Sequence, residues 1–301
     1  MDLGTNTFHL LIAEGLAGSF TEVLHDSEGV KLGAGGINKG IIQPDAFERG
    51  LAAMQRFKKH IEANNVQQVR AIATSAVRSA ANGQDFISQV KEKTGIQIEL
   101  INGEQEAAYI YSGIKASGCL NEENALIMDI GGGSVEFIIG NSSEVLWKQS
   151  FEIGAARLMD KFHQADPIPV QSIKEMTHYL NGQLTGLFEA ALQYRPTILI
   201  GSSGAFESFA EVIELEKKRT FHLKETKVYE FDIDELLDLI ERLIRSTHAQ
   251  RANIKGIIPV RVDMIVVASL ITIYIMQKLG LADVTLSTYS LKEGVLAQML
   301  T

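Results

Sequence analysis

The chain has 301 residues, of which 46% are hydrophobic and 22% charged, with 5 prolines and 1 cysteine; this is an ordinary globular composition, long enough for two domains with cores of their own. A formal net charge of −9 argues against a general nucleic-acid binder, whose affinity needs a basic surface, and no apolar run reaches the roughly 20 residues of a membrane span. The single Cys119 excludes an intrachain disulfide and a multi-cysteine metal site, and no basic leader surrounds Asp2, so a cytoplasmic protein is expected.

In chain order, alternating apolar residues over 8–13 predict a strand, and 21–32 one or two more. Leu51, Met54, Phe57 and Ile61 recur at helical spacing, so 44–63 reads as a helix. A buried strand is expected at 69–73, a helical stretch at 86–93, a strand at 96–101 and a helix at 103–116. A strand at 125–129 runs into a glycine-rich turn, and strands at 135–139 and 145–151 complete a meander. Further helices are expected at 155–163, 170–193, 204–217, 232–246, 260–279 and 290–300, with strands at 197–200 and 284–287 among them. The greasiest run, 262–276, is interrupted by Asp263 and reads as a buried core helix. Strands alternating with helices indicate an α/β fold. No Pro- or Ser-rich linker is visible, so the domain boundary is compact and is placed near 117–122. The opening strand has few apolar residues before its turn, which predicts a short strand or a Met1 lying inside a longer native chain.

The most informative feature is an internal repeat. Asp2-Leu3-Gly4-Thr5-Asn6-Thr7 precedes one apolar strand, and Asp129-Ile130-Gly131-Gly132-Gly133-Ser134 precedes another. Glycines allow a sharp turn and close backbone approach to an anion. Consecutive N–H groups in such a turn form a concave donor site, to which Thr5, Asn6, Thr7 and Ser134 add side-chain donors. An aspartate beside a phosphate requires a cation between them, which assigns Mg²⁺ (or Mn²⁺) to Asp129, with Asp2 assisting from the facing half. A third turn, Gly201-Ser202-Ser203-Gly204, joins a strand to a helix and reads as an anion or nucleotide site.

The two Asp-x-Gly turns and the later glycine turn resemble the actin, hexokinase and heat-shock ATPase superfamily. The segments Ala73-Thr74-Ser75-Ala76-Val77-Arg78, Asn102-Gly103-Glu104-Gln105-Glu106-Ala107 and 129–136, with Arg261-Val262-Asp263, narrow the match. Together they resemble the exopolyphosphatase and guanosine pentaphosphate phosphohydrolase family from Asp2 to the C-terminus. The resemblance implies two actin-like (RNase H-like) domains around a cleft, one from 1–118 plus 289–301 and one from 119–288. It also implies Mg²⁺-dependent hydrolysis of the terminal phosphoanhydride of polyphosphate or guanosine pentaphosphate, and hence a connection to the stringent response. The chain looks like a short member that lacks the helical region of longer ones. Two departures stand out: Thr-Asn-Thr occurs in the opening turn where Ser-Asn-Ser is frequent, and Gln105-Glu106-Ala107 replaces Glu-Glu-Ala. The second change singles out Glu106.

Hydrolysis needs an oriented water and neutralisation of the transferred phosphoryl group. The resemblance makes Glu106 the base. Arg78 supplies a guanidinium that can grip phosphate oxygens with two hydrogen bonds, and Glu136 is read as a metal ligand or a second positioning group. Arg261 either contacts phosphate or braces its helix through Asp263. The seven histidines lack metal-ligand spacing and Cys119 has no nearby histidine, so all are read as structural. Two rival readings remain: an ATPase or kinase of the same superfold, and a non-catalytic sensor of alarmone or polyphosphate. Neither nucleic acid nor membrane is expected as a partner, and whether the chain forms a homodimer is left open.

Overall fold

The computed structural model describes residues 1–16 and 19–300, with Ser19 described for its backbone alone. The elements in order are β1 (Asp2–Leu3), β2 (Phe8–Leu16), β3 (Ser19–Glu28), α1 (Pro44–Ala63), β4 (Ala71–Ala73), α2 (Ser75–Arg78), α3 (Gly83–Thr94), β5 (Ile98–Leu100) and α4 (Gly103–Ser117). There follow β6 (Ala125–Ile130), β7 (Val135–Gly140), β8 (Val145–Phe151), α5 (Ala155–Phe162), α6 (Val170–Gln183), α7 (Thr185–Tyr194), β9 (Ile198–Ser202) and α8 (Gly204–Glu216). The chain closes with β10 (Val228–Glu230), α9 (Ile233–Arg245), α10 (His248–Ala252), α11 (Ile265–Leu279), β11 (Asp283–Ser287) and α12 (Leu291–Met299).

The sequence repeat is also a repeat of topology. The first sheet runs β3-β2-β1-β4-β5 and the second β10-β11-β9-β6-β7-β8. Each holds an antiparallel meander (β1-β2-β3, β6-β7-β8) whose first strand pairs in parallel with a later one (β4, β9). In both halves the Asp-x-Gly turn therefore joins the first two strands of the meander, at the same end of its sheet. The first sheet packs its apolar face on α1 and α3 through Phe8, Leu51, Phe57 and Phe86. The second is covered by α5 to α9 and by α11, whose run from Ile265 to Thr272 is wholly buried. Strands β6 and β7 are buried along their whole length, as expected where both faces of a sheet are covered.

Helices α4 and α12 lie between the halves, where Ile110, Ile114, Leu291 and Val295 pack against Ile72 of the first sheet and Ile127, Ile138 and Ile200 of the second. The two helices cross at glycines. A Cβ on Gly294 would lie 1.8 Å from the Tyr109 carbonyl oxygen, and one on Gly113 would lie 2.0 Å from that of Ser290. This crossing sets where the first turn of α4, which carries Glu106, meets the cleft.

Several expectations need correction. The helix expected over 170–193 is broken at Leu184, whose φ of −99° and ψ of 19° are not helical, with Gly182 and Gly186 weakening the flanking turns. The helix expected from 260 starts at Ile265, because Gly256 (φ 95°) and Pro259 hold the preceding residues in turns. The strand expected over 21–32 ends at Glu28, since Lys31 takes a positive φ of 50°. Strand β10 and the short α2 and α10 have no counterpart among the elements expected from the sequence. The first is three residues at a sheet edge, although the Thr247/Gln250 capping box of α10 is a readable signal. No helix among the described residues is long and apolar enough to cross a membrane.

Candidate active site

A cavity opens between the two Asp-x-Gly turns, lined by Asp2, Thr5, Asn6, Thr7, Glu106, Asp129, Gly131, Gly132, Gly133, Ser134 and Glu136 among others. The turns come close together: a Cβ on Gly132 would lie 2.2 Å from Asn6 Nδ2, and one on Gly133 would lie 2.8 Å from Thr5 Oγ1. Side chains at either glycine would force the turns apart.

Each turn is propped from behind through its carbonyls. Thr5 and Asn6 accept from the N–H groups of Gly33 and Lys31, at 3.0 and 2.8 Å. Gly131, Gly132 and Gly133 accept from Ala155, Ala156 and Gly154 at 2.9 to 3.2 Å, and Arg157 Nε donates to Gly133 at 3.0 Å. In a trans peptide the N–H points opposite to the C=O. The N–H groups of Asn6 and Thr7, and those of Gly132, Gly133 and Ser134, are therefore turned away from their supports, which suits them to receive an anion.

The carboxylates are placed by strand register. Asp129 pairs directly with Glu136 across β6 and β7, so both side chains stand on one face. The row continues to Ser150 on one side and Ser202 on the other. Ser150 Oγ donates to Glu136 Oε1 at 2.6 Å, and Ser202 Oγ donates to Asp129 Oδ2. The equivalent pair in the first sheet is Asp2 with His9, and both line the cavity. Asp2 Oδ1 and His9 Nδ1 are out of solvent contact and have no hydrogen-bond partner among the described residues.

Glu106 enters from the first turn of α4, after a capping box between Asn102 and Gln105. Its Oε2 accepts from Arg78 Nη1 at 2.9 Å, and the same nitrogen donates to the Ile101 carbonyl at 3.1 Å. Burial pushes the Glu106 carboxyl up to about 7 despite the opposing pull of Arg78. Burial likewise raises Asp2 to about 6 and raises Asp129 against the hydrogen bonds of Ser202 and Ser203. Burial and then the charge of Glu106 lift Glu136 well above the carboxylate range. Burial thus raises the proton affinity of all four carboxyls in the cleft.

Cations do reach this cleft, and one of them was missed from sequence. Lys292, in the first turn of α12, lines the cavity with its side chain 12% exposed and its Nζ 3.1 Å from Glu293 Oε1. Burial acts to lower its ammonium, but Glu293, Glu207 and Asp2 outweigh it, so the group stays charged. Ser290 and Glu293 frame it, the Ser290 N–H donating to Glu293 at 2.8 Å. That Ser-x-x-Glu pattern signals a helix start, but not that the lysine beside it faces the cleft.

Arg261 is corrected in its partner. Its Nη2 donates to Glu207 Oε2 at 2.6 Å and its Nη1 to Ser208 Oγ at 3.1 Å, while Asp263 pairs with His248 Nδ1 at 2.6 Å. The third glycine turn is corrected in register. Gly201 lies under the Phe206 ring, where a Cβ would approach to 2.2 Å, and Ser202 is wholly buried on Asp129. The residues facing the cavity there are Ser203, with φ 64°, Gly204 and Ala205. The reason is that β9 stays paired with β6 and β11 through Ser202.

Among the described residues, no three of His, Cys, Asp and Glu stand together as a site that could hold a metal. The described residues thus build no protein cage for zinc or calcium. Mg²⁺ is held differently, by one or two carboxylates with waters and substrate phosphates. The orphaned Asp2 Oδ1 opposite Asp129 fits that open kind of site.

The chain is similar to the crystal structure of an exopolyphosphatase from Cytophaga hutchinsonii at 40% identity and a TM-score of 0.96, covering 99% of this chain and 96% of that one. It is also similar to the Ppx-GppA enzyme of Aquifex aeolicus, at 23% identity and a TM-score of 0.78 over 99% and 97% of the two chains. An exopolyphosphatase-like protein matches at 22% identity and a TM-score of 0.89, over 99% and 97%. The last two likenesses bear on the fold alone, α/β with two mixed sheets. The model of the Ppx/GppA phosphatase family matches residues 11–301, so the chain belongs to the Ppx/GppA phosphatase family.

Proposed function

We propose that the chain is an exopolyphosphatase that hydrolyses the terminal phosphoanhydride bond of inorganic polyphosphate, with guanosine pentaphosphate as a second substrate presenting the same terminal group. The observation that carries the reading is Glu106, a buried carboxyl raised to about 7 and facing two backbone turns built to receive phosphate. A base poised near neutral pH has the proton affinity that activation of water requires.

In this reading Thr5, Asn6 and Thr7 on one side and Gly131, Gly132, Gly133 and Ser134 on the other hold the terminal phosphoryl group. Glu106 orients a water and takes its proton as the water oxygen bonds to phosphorus. The bridging P–O bond breaks, the shortened polyphosphate leaves as its anion, and orthophosphate remains to dissociate. Arg78 fixes the Glu106 carboxylate and offers its second face to phosphate oxygens. Asp129, with Asp2 opposite it, would hold Mg²⁺ or Mn²⁺ together with waters and substrate phosphates; the ion when bound offsets the negative charge of the phosphate oxygens, and Glu136 acts as the second positioning group. The two domains, 1–118 with 289–301 and 119–288, carry one turn each.

The test is orthophosphate release from long polyphosphate, tripolyphosphate, guanosine pentaphosphate and ATP, with and without Mg²⁺, by wild type and Glu106→Gln. Turnover of polyphosphate that requires Mg²⁺ and falls about 10³-fold in the variant supports the reading. Release from ATP alone would transfer the protein to the ATPase class. Tight binding of guanosine pentaphosphate with no turnover would make it a sensor.

A further inference from the structure

Glu152 is an acidic residue in an unexpected place. It follows β8, next to Ser75 of the cavity lining, and is half-exposed, yet three groups from both halves of the molecule converge on it. Ser75 Oγ donates to its Oε2 at 3.2 Å and Arg78 Nη2 to its Oε1 at 3.4 Å, both from α2. Arg157 Nη2 donates to its Oε2 from α5 in the other half. The same Arg157 supports the second turn through the Gly133 carbonyl, and the same Arg78 holds Glu106. Two guanidinium groups and a hydroxyl converging on one oxyanion form a phosphate-binding arrangement, with a carboxylate in place of the phosphate.

We propose that Ser75, Arg78 and Arg157 form a subsite for the phosphoryl groups behind the terminal one, and that Glu152 is a built-in competitor displaced when an oligophosphate enters. The proposal rests on the reading of the cleft given above and deepens it by assigning where the rest of the substrate chain lies. The half-exposure of Glu152 matters here. A carboxylate at the surface can swing into water at little cost, because exposed ion pairs are weak. The guanidinium groups are anchored on carbonyls at their other nitrogens, Arg78 on Ile101 and Arg157 on Ile37 and Gly133, so they keep their positions when Glu152 leaves. An orthophosphate seated between the two turns would not need this subsite, whereas a tripolyphosphate would. Glu152 thus penalises anions long enough to reach it and sets the affinity for the chain without touching the reacting phosphorus.

The experiment is titration calorimetry of tripolyphosphate and of orthophosphate into wild type, Glu152→Gln, Glu152→Ala and Asp160→Asn, in metal-free buffer. Asp160→Asn removes one negative charge from the same rim, where Asp160 accepts from Asn38, and controls for a general change in field. The expected result is a gain of about three- to tenfold in tripolyphosphate affinity for both Glu152 variants, with orthophosphate affinity unchanged. Equal or weaker tripolyphosphate binding in both variants overturns the subsite, as does an equal gain in Asp160→Asn. If no protein binds either anion in metal-free buffer or, in a Glu106→Gln background, with Mg²⁺, the reading of the cleft as a phosphate site falls together with the subsite; binding unaffected by Glu152 removes the subsite alone.

Discussion

Burial and pairing pull in opposite directions on Glu106, and burial wins. The Arg78 guanidinium 2.9 Å away favours the carboxylate, yet the carboxyl is displaced upward from its ordinary 4.5 to about 7. The sign of the consequence follows from the folded protein holding the proton more tightly than the unfolded chain. Glu106 imposes no penalty below about pH 4.5, an increasing one as pH rises to about 7, and a constant one above that. Glu106→Gln is therefore expected to be more stable than wild type by about 1–3 kcal/mol at pH 8, and equally stable near pH 4. Activity runs the other way, because only the ionised form accepts a proton: kcat/KM should fall about tenfold per pH unit below pH 7. Chemical denaturation and pH–rate profiles measure the two effects separately, and a pH-independent stability difference would remove the link between them. The motifs made Glu106, Asp129 and both turns legible in the sequence, since each needs particular residue types at close spacing. Lys292 and Glu152 were not legible, because their meaning comes from residues far away in the chain that a fold must bring to them.

At the scale of elements, the repeat was legible because strand–turn–strand units leave a local pattern. The same order of β1 to β5 in one sheet and of the β6–β8 meander with β9 and β11 in the other is the folded form of two similar strings of six residues. What the pattern did not contain was the crossing of α4 and α12. Those helices are far apart in the chain, α4 ending at Ser117 and α12 starting at Leu291, and meet because Gly113 and Gly294 let their backbones touch. Gly294→Ala would place a methyl group 1.8 Å from the Tyr109 carbonyl, which neither backbone can yield without the helices separating. The expected loss is about 1–3 kcal/mol of stability, the range of overpacked sites. A second effect should accompany it, since α4 carries Glu106 into the cleft: kcat should fall in the protein that remains folded. Thermal melts with activity per folded molecule check both. A variant with unchanged stability would show that the crossing is not tight.

For the molecule as a whole, the two halves are held together on the side away from α4 and α12 as well. Asn38 Nδ2 donates to the Arg157 carbonyl at 3.0 Å and to Asp160 Oδ2 at 2.8 Å, and Arg157 Nη1 donates to the Ile37 carbonyl at 2.9 Å. With Asn6 against Gly132 and Glu152 between Ser75 and Arg157, the rim of the cleft is bridged at several points. Most of these links are side-chain bonds near the surface, each weak enough to open in thermal motion. The apolar layer of α4 and α12 is the stronger connection, so opening would turn about it as a hinge. A polymer must pass this rim to place its end between the two turns, which makes opening part of each encounter. The prediction is tested by replacing Asn38 and Asp160 with cysteine in a Cys119→Ala background and joining them with a short bis-maleimide. Joined protein should lose about tenfold or more of its polyphosphate turnover, while the same double variant left unjoined keeps most of it. A bis-maleimide long enough to let the rim open should restore the rate, which separates closure from mere modification of the two positions. Full turnover in the tightly joined protein would mean that the substrate reaches the turns without the halves parting.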